Sequence, residues 1–293
     1  MIEALQFWNE PNNLSHWDYT LDPDWSIFAT MVRYASYEVR REAPQAIQLL
    51  GGLSPLDPDF VDLMKRQGVL DMVDVLAIHG FPLDWNLWQI GDWPEKVLEM
   101  QSAADKPVWV TEVGASSFGA EEVQLFGLNR TCELLLPIVP RIHWYSLIDL
   151  PLQKGAVTRH KESEGSAYYR HFHFGLLRAD GSPKQTLEHF PPDLGICQWI
   201  DFDDEDTLRL VCRWLPRLGV RHLRTGISWA DWHRPNATRW FDHMMSALSR
   251  FDLTVTLCFT PPSRGIAPNH TSPPQDPGEY SFFCWEIARR YVA

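Results

Sequence analysis

The sequence predicts an α/β fold, a (β/α)8 TIM barrel, and three observations predict it. Short apolar segments alternate with amphipathic helical ones through the 293 residues, which implies parallel strands joined by helical crossovers. The strand-helix units number eight, five within 1–190 and three within 191–293. Two glutamates, Glu10 and Glu112, each close an apolar strand, and they lie 102 positions and three units apart. That is about 34 residues per unit, near the norm of roughly 31 for an eight-unit barrel.

The first strand holds Ile2, Ala4, Leu5, Phe7 and Trp8 and stops at Asn9-Glu10-Pro11-Asn12, because Pro11 cannot donate to a sheet. Asp22 and Pro23 then read as an N-cap and first-turn proline for a helix carrying Trp25, Phe28, Val32, Ala35 and Val39 at helical spacing. Ala46 to Leu50 is a second strand, ending in Gly51-Gly52, and Asp57 to Gln67 a short helix. Met72 to Ile78 is a third strand, ending in His79-Gly80-Phe81-Pro82; a loop with Trp85 and Trp88 and a helix from Trp93 to Ala104 follow. The fourth strand, from Pro107, carries Glu112 and ends at Gly114. A helix from Ala120 to Leu136 leads to a fifth strand, Arg141 to Leu147, then a polar loop over 148–173 and a return, Phe174 to Phe190, with a helix. The same grammar resumes with a strand from Gly195 to Phe202 and a helix capped by Asp203. A strand from Val220 to Ile227, a helix over Trp240 to Phe251 and a strand from Leu253 to Phe259 follow. A Pro-rich loop then precedes a last helix, with Phe283, Ile287 and Tyr291 on one face.

Composition narrows the partners. A formal net charge of -12 argues against nucleic acid and anionic membranes. No apolar run is long enough to span a bilayer, and Met1-Ile2-Glu3 opens directly on a strand with no signal peptide. Cys132, Cys197, Cys212, Cys258 and Cys284 are odd in number and lack metal-type spacing, which reads as reduced thiols in the cytoplasm. Four N-x-S/T matches are chance on that view. Neither His171 with His173 nor the Asp201, Asp203, Asp204 and Asp206 cluster completes a metal site, so no metal or other cofactor is expected. Fourteen tryptophans, Trp17, Trp85, Trp88, Trp229 and Trp232 among them, offer flat faces for stacking on sugar rings.

Two glutamates at strand ends are what cleavage of a glycosidic bond needs, one to protonate the leaving oxygen and one to attack the sugar. Trp8-Asn9-Glu10-Pro11 after one strand and Thr111-Glu112-Val113-Gly114 after another resemble the two catalytic strand ends of the clan A glycoside hydrolases. The WNEPN spelling is most similar to the β-xylosidase-like family 39. Leu223 to Trp229, LRTGISW, resembles the clan's second-strand arginine motif. The resemblance implies a retaining hydrolase of β-linked oligo- or polysaccharides, β-xylosidase-like or acting on an exopolysaccharide. It assigns Glu10 as acid/base, its pKa raised, and Glu112 as an ionised nucleophile held by Arg224. Asn9 would bond a sugar hydroxyl, His79 would stand near the nucleophile, and Trp144 would floor the reacting sugar, with Trp229 also substrate-binding. A transglycosidase and a catalytically silent carbohydrate-binding barrel are the other two uses of such a site.

Relative to that clan the motifs are out of order, since the arginine strand follows both glutamates. The chain therefore reads as a single catalytic domain over 1–293, circularly permuted, with 1–190 supplying barrel units four to eight and 191–293 units one to three. Barrel helices return to the face opposite the chemistry, so moving the termini there leaves the site intact. Closure within one chain gives a monomer; a strand-exchanged homodimer, or a segment cut from two adjacent barrels, would satisfy the same order. The sequence also departs from the clan. Phe81 stands where a tyrosine commonly touches the nucleophile, and Cys258 to Ser263 offers no clear polar residue at its strand end.

Overall fold

The computed structural model describes residues 2–154 and 165–292. Eight parallel strands form a closed barrel in chain order: β1 (Ile2–Phe7), β2 (Ile47–Leu53), β3 (Val75–Gly80), β4 (Val108–Val113), β5 (Ile142–Tyr145), β6 (Gly195–Cys197), β7 (His222–Ser228) and β8 (Asp252–Cys258). β8 pairs back onto β1, from Ile2↔Leu253 to Phe7↔Leu257, so one chain closes the ring. Around it run α1 (Ser26–Glu42), α2 (Pro58–Arg66), α3 (Trp93–Ala104), α4 (Glu121–Leu135), α5 (Gly165–Arg170), α6 (Glu205–Trp214), α7 (Trp229–Trp232), α8 (Ala237–Leu248) and α9 (Pro277–Tyr291).

The period-2 alternation of each strand divides the apolar residues into two cores. Ala4, Leu49, Val75, Ala77 and Trp109 fill the barrel's inside, and Leu5, Phe7, Leu50, Leu76 and Ile78 join the larger layer between strands and helices. Below the inner cluster, Arg141 stacks on Trp109 at 4.8 Å and holds Glu3 through two bonds of 2.8 and 3.0 Å. Capping follows local chemistry: Asp57 accepts from Phe60 N at 3.1 Å ahead of Pro58, and Asp276 precedes Pro277 in the same way.

Several elements depart from the sequence expectation. α1 starts at Ser26, and its N-cap is Trp25 rather than Asp22. Asp22 instead reaches forward, its carboxylate accepting from Ile27 N and Phe28 N at 3.0 and 2.9 Å, which satisfies the same free donors from outside the helix. The cap of α6 is Asp204, bonded to Thr207 N, not Asp203. β6 stops after three residues because the Gln198 carboxamide takes the backbone N–H groups of Leu147 and Ile148 and Trp199 turns aside. β2 runs on through both glycines to Leu53. The helix expected before Phe190 is a five-residue 3-10 turn, Gln185–His189, packed on α4. Within the expected polar loop, His171–His173 forms a 3-10 turn. Residues 155–164 of the expected polar loop lie outside the described residues. All five cysteines are free, and no helix of the described residues is long and apolar enough to cross a membrane.

Trp8, at the end of β1, fixes the loop that follows. Its ring is fully buried edge-on against Trp17 (5.0 Å) and near Tyr280 (5.9 Å), and its Nε1–H donates to His16 O at 3.0 Å. Trp8→Ala is expected to destabilise the fold by about 3–5 kcal/mol, read as a lower urea midpoint with unchanged slope. A loss below about 1 kcal/mol would mean that the loop is anchored elsewhere.

Candidate active site

The carboxyl ends of β1, β3 and β4 meet at the barrel mouth with Asn9, Glu10, His79 and Glu112, and Arg224, the third residue of β7, reaches them through its side chain. Glu10 sits just past β1 with φ of 43°, a left-handed conformation uncommon for a residue with a side chain, and it is 8% exposed. Glu112 reaches the mouth through a bulge. β4 pairs Val110 with Ile78 and then Glu112 with His79, so Thr111 is one residue extra, and both Thr111 and Glu112 turn inward.

Arg224 ties three strands together. One guanidinium nitrogen donates to Glu112 Oε1 and lies 3.0 Å from Cys197 Sγ; the other donates to Asn9 Oδ1 at 2.7 Å, and Nε donates to Gln6 Oε1 at 3.3 Å. Arginine stays charged at any working pH, so one oxygen of Glu112 is neutralised and the other, Oε2, remains open, 3.7 Å from His79 Nδ1. Asn9 thus orients on Arg224 through its oxygen and keeps its amide N–H groups for a ligand.

His79 is fully buried between the two glutamates. Its Nδ1–H donates to Glu10 Oε1 at 2.8 Å, and its Nε2 meets Thr111 Oγ1 at 3.0 Å. The ring needs the bare backbone of Gly52, where a Cβ would lie 2.4 Å from Nε2. Two further residues complete the shell of Glu10. Asn13 Nδ2 donates to Oε2 at 2.8 Å, and His16 Nε2 stands 3.2 Å from the same oxygen.

The expected rise in the Glu10 pKa does not occur. Burial raises it, but the charge and hydrogen bond of His16, then those of His79, outweigh burial and hold the carboxyl far below its ordinary 4.5. Burial in turn lowers the His16 pKa, yet Glu10 and Glu112 lift it above its ordinary 6.5. Each of the two thus favours the charged form of the other. Glu10, His79 and Glu112 offer one donor atom each within a mutual 4.8 Å, spacing a metal ion could use. The chemistry of the set does not favour one: Nδ1 of His79 carries a proton to bond Glu10, and Arg224 and His16 already supply the positive charge.

Two aromatic walls flank the carboxylates. On one side Tyr145 lies 5.9 Å from Phe81, and Phe81 and Phe174 pack on Trp85 at 5.0 and 4.9 Å. Burial, then the charge of Glu112, raises the Tyr145 pKa, so its hydroxyl remains a donor. On the other side Phe259 stacks beside His16 at 6.4 Å and meets Trp199 at 5.7 Å. Trp199 lies flat over Gly226, where a Cβ would fall 1.8 Å from its ring.

Three expected sugar platforms are core instead. Trp144 is fully buried and faces the helices, because His143 and Tyr145 take the inward positions of β5. Trp229 is fully buried, stacked on Phe283 at 6.2 Å, and Trp17 is enclosed against Trp8 and Phe28. Trp232 bonds Glu286 behind β7, and Trp88 packs edge-on against Trp93. His16, Asn13, Thr111, Tyr145 and Trp199 were not singled out in the sequence. The inward parity of Tyr145 was readable from its place beside Trp144; His16, in an irregular loop, carried no periodic signal. A cavity of about 960 Å³ lies elsewhere, on the outer surface, where Tyr34, Tyr37, Phe282 and Trp285 line it.

No protein-family model and no curated protein matches the chain. Among solved structures it is similar in part to a β-glucuronidase of Bacteroides uniformis, with 12% identity and a TM-score of 0.38 over 65% of this chain and 21% of that one. The chain thus spans about a fifth of that protein's length. It is also similar in part to an endo-β-1,3-glucanase (GH128, subgroup I) from Amycolatopsis mediterranei, solved in complex with laminaritriose and laminaribiose. That likeness has 13% identity and a TM-score of 0.27, over 47% of this chain and 76% of the other. Overlaps this partial say nothing of what this chain acts on, and the fold rests on its own closed sheet.

The Glu10–His16 pair has a pH signature. A carboxyl held below 4.5 stabilises the fold above that pH and ceases to as pH falls; an imidazole raised above 6.5 stabilises in full below 6.5 and ceases to as pH climbs through its raised value. The stability gap between wild type and His16→Gln should therefore be widest between pH 4.5 and 6.5 and narrow toward alkaline pH, measured by melting temperature. A gap that widens with alkalinity would contradict the charge assignment.

Proposed function

We propose that the protein is a retaining glycoside hydrolase of β-linked sugars, with Glu112 as nucleophile and Glu10 as acid/base. The observation that carries this is the spacing of the two carboxylates at the barrel mouth, an oxygen of each within 4.8 Å of the other. Separations near 5 Å leave no room for a water between Glu112 and the sugar and suit double displacement, whereas inversion needs about 6.5 Å or more. Glu112 Oε2 attacks the anomeric carbon, the bond to the leaving oxygen breaks, and a proton from the Glu10 side ends on that oxygen. Water then attacks the same carbon, its proton returns by Glu10, and Glu112 is released. Arg224 bonds Glu112 and aims it, and Tyr145 and the free N–H groups of Asn9 are placed to donate to sugar hydroxyls.

The pattern of strands supports the clan A resemblance in a permuted form. The glutamates occupy β1 and β4, three strands apart, and the arginine comes from β7, later in the chain than both. We read β1 to β5 as barrel units four to eight and β6 to β8 as units one to three. The substrate class that fits is an oligo- or polysaccharide, β-xylosidase-like or from an exopolysaccharide, taken between the two aromatic walls.

A panel of aryl β-glycosides tests this with wild type beside Glu112→Ala and Glu10→Ala. Glu112→Ala should lose several orders of magnitude in rate, and Glu10→Ala about 10²–10⁴-fold, with both variants folded. Proton NMR of the first-formed sugar should show the β-anomer. Turnover that survives Glu112→Ala, or release of the α-anomer, would overturn the assignment; products transferred to an added sugar acceptor would make it a transglycosidase.

A further inference from the structure

We propose that His16 is the proton-holding partner of Glu10, so that the acid of this site is a Glu10–His16 dyad rather than a lone carboxylic acid. This rests on the glycosidase reading above and concerns how the same site stores and returns its proton.

Glu10 is enclosed by three nitrogens. Oε1 meets His79 Nδ1 at 2.8 Å, while Oε2 receives Asn13 Nδ2–H at 2.8 Å and faces His16 Nε2 at 3.2 Å. The amide can only donate, whereas an imidazole nitrogen can either give or take a proton, so the two histidines are the groups able to exchange one with Glu10. Of the two imidazoles, His79 is fully enclosed and fixed by Thr111, whereas the His16 side chain is 26% exposed with its Nδ1 buried, so His16 is the less enclosed of the two. Its position is built. The backbone of His16 is held at both ends, N–H to Asn13 O at 2.9 Å and carbonyl to the Trp8 indole at 3.0 Å, and Phe259 stacks beside the ring.

The surrounding charges agree. Glu10, on its own loop, and Glu112, on β4, favour the imidazolium; Arg224, on β7, opposes it from further off. His79, on β3, reaches it only through Glu10, and His270, on the loop before α9, lies beyond Phe259.

The step balances. As Glu112 Oε2 bonds to the anomeric carbon and the glycosidic C–O bond breaks, the electron pair stays on the leaving oxygen. The proton on His16 Nε2 passes to Glu10 Oε2, and Glu10 gives its proton to that oxygen, leaving His16 neutral. In the second step water bonds to the anomeric carbon, the bond to Glu112 breaks, and the water's proton returns through Glu10 to His16. Because His16 acts through Glu10, it is a positioning residue.

The test is His16→Gln, which keeps a side chain of similar reach but cannot store a proton, on dinitrophenyl and phenyl glycosides of the sugar that the panel identifies. A phenolate needs protonation to leave and a dinitrophenolate does not. The loss in kcat should therefore be at least about tenfold greater for the phenyl substrate. The alkaline limb of its kcat/KM profile should move to lower pH, since the variant must keep its proton on Glu10. Independently, nitrogen NMR of the wild type should find His16 doubly protonated at pH 6.5. Equal losses for both leaving groups would reduce His16 to a loop support, and a neutral His16 beside a protonated Glu10 would return the proton to the carboxyl; either overturns the proposal. A wild type that turns over no glycoside, yet shows the imidazolium by NMR, would instead reject the glycosidase reading.

Discussion

The structure depends on how two carboxylates are kept within 4.8 Å of each other in a mouth that is largely closed to water. Bare, the pair would repel and one member would take up a proton. Arg224 removes half of the problem by reaching from β7 to Glu112 while gripping Asn9, Gln6 and Cys197. His16 removes the other half from the loop just beyond Glu10. The two solutions differ in kind. A guanidinium keeps its proton at any working pH, whereas an imidazole can gain or lose one near neutrality, so the two partners of the carboxylates are a fixed charge and a variable one.

Those demands explain local oddities that a plain barrel would not need. Thr111 is inserted as a bulge so that His79 and Glu112 both face inward at adjacent levels. Gly52 is bare because the His79 ring fills the space of its side chain, and Gly226 because Trp199 does. Glu10 takes a left-handed backbone that Pro11 and the Trp8 anchor hold in place. Each departs from regular strand chemistry at the mouth.

Much of this was legible in the sequence. All eight strands were, because strands buried on both faces read as apolar runs between turn residues, and α3, with Pro94 at its start and Asp105 at its end, was legible to the residue. Glu10, Glu112, Arg224 and His79 were legible because each closes or occupies such a run. Trp144 and Trp229 misled for one reason: the identity of a residue says that a flat ring is near the mouth, but only the parity of its strand and the packing of α7 say which way it faces. His16 and Trp199 sit where the chain has no period at all. A closed ring of identical units also hides its own beginning, so the sheet order is silent on permutation, and only the unequal strands, those with glutamate and the one with arginine, mark the register.

The order of the charges along the chain has a consequence for how the molecule is made. Both glutamates lie within the first 112 residues, while Arg224 comes a further 112 later. A half-barrel of β1 to β4 emerging first would hold two anions face to face with no guanidinium and an open sheet edge on each side. Only with β7 in place does a guanidinium reach Glu112, and only with β8 on β1 is the ring closed. The charge balance of the mouth and the closure of the barrel thus rest on contacts of long sequence separation.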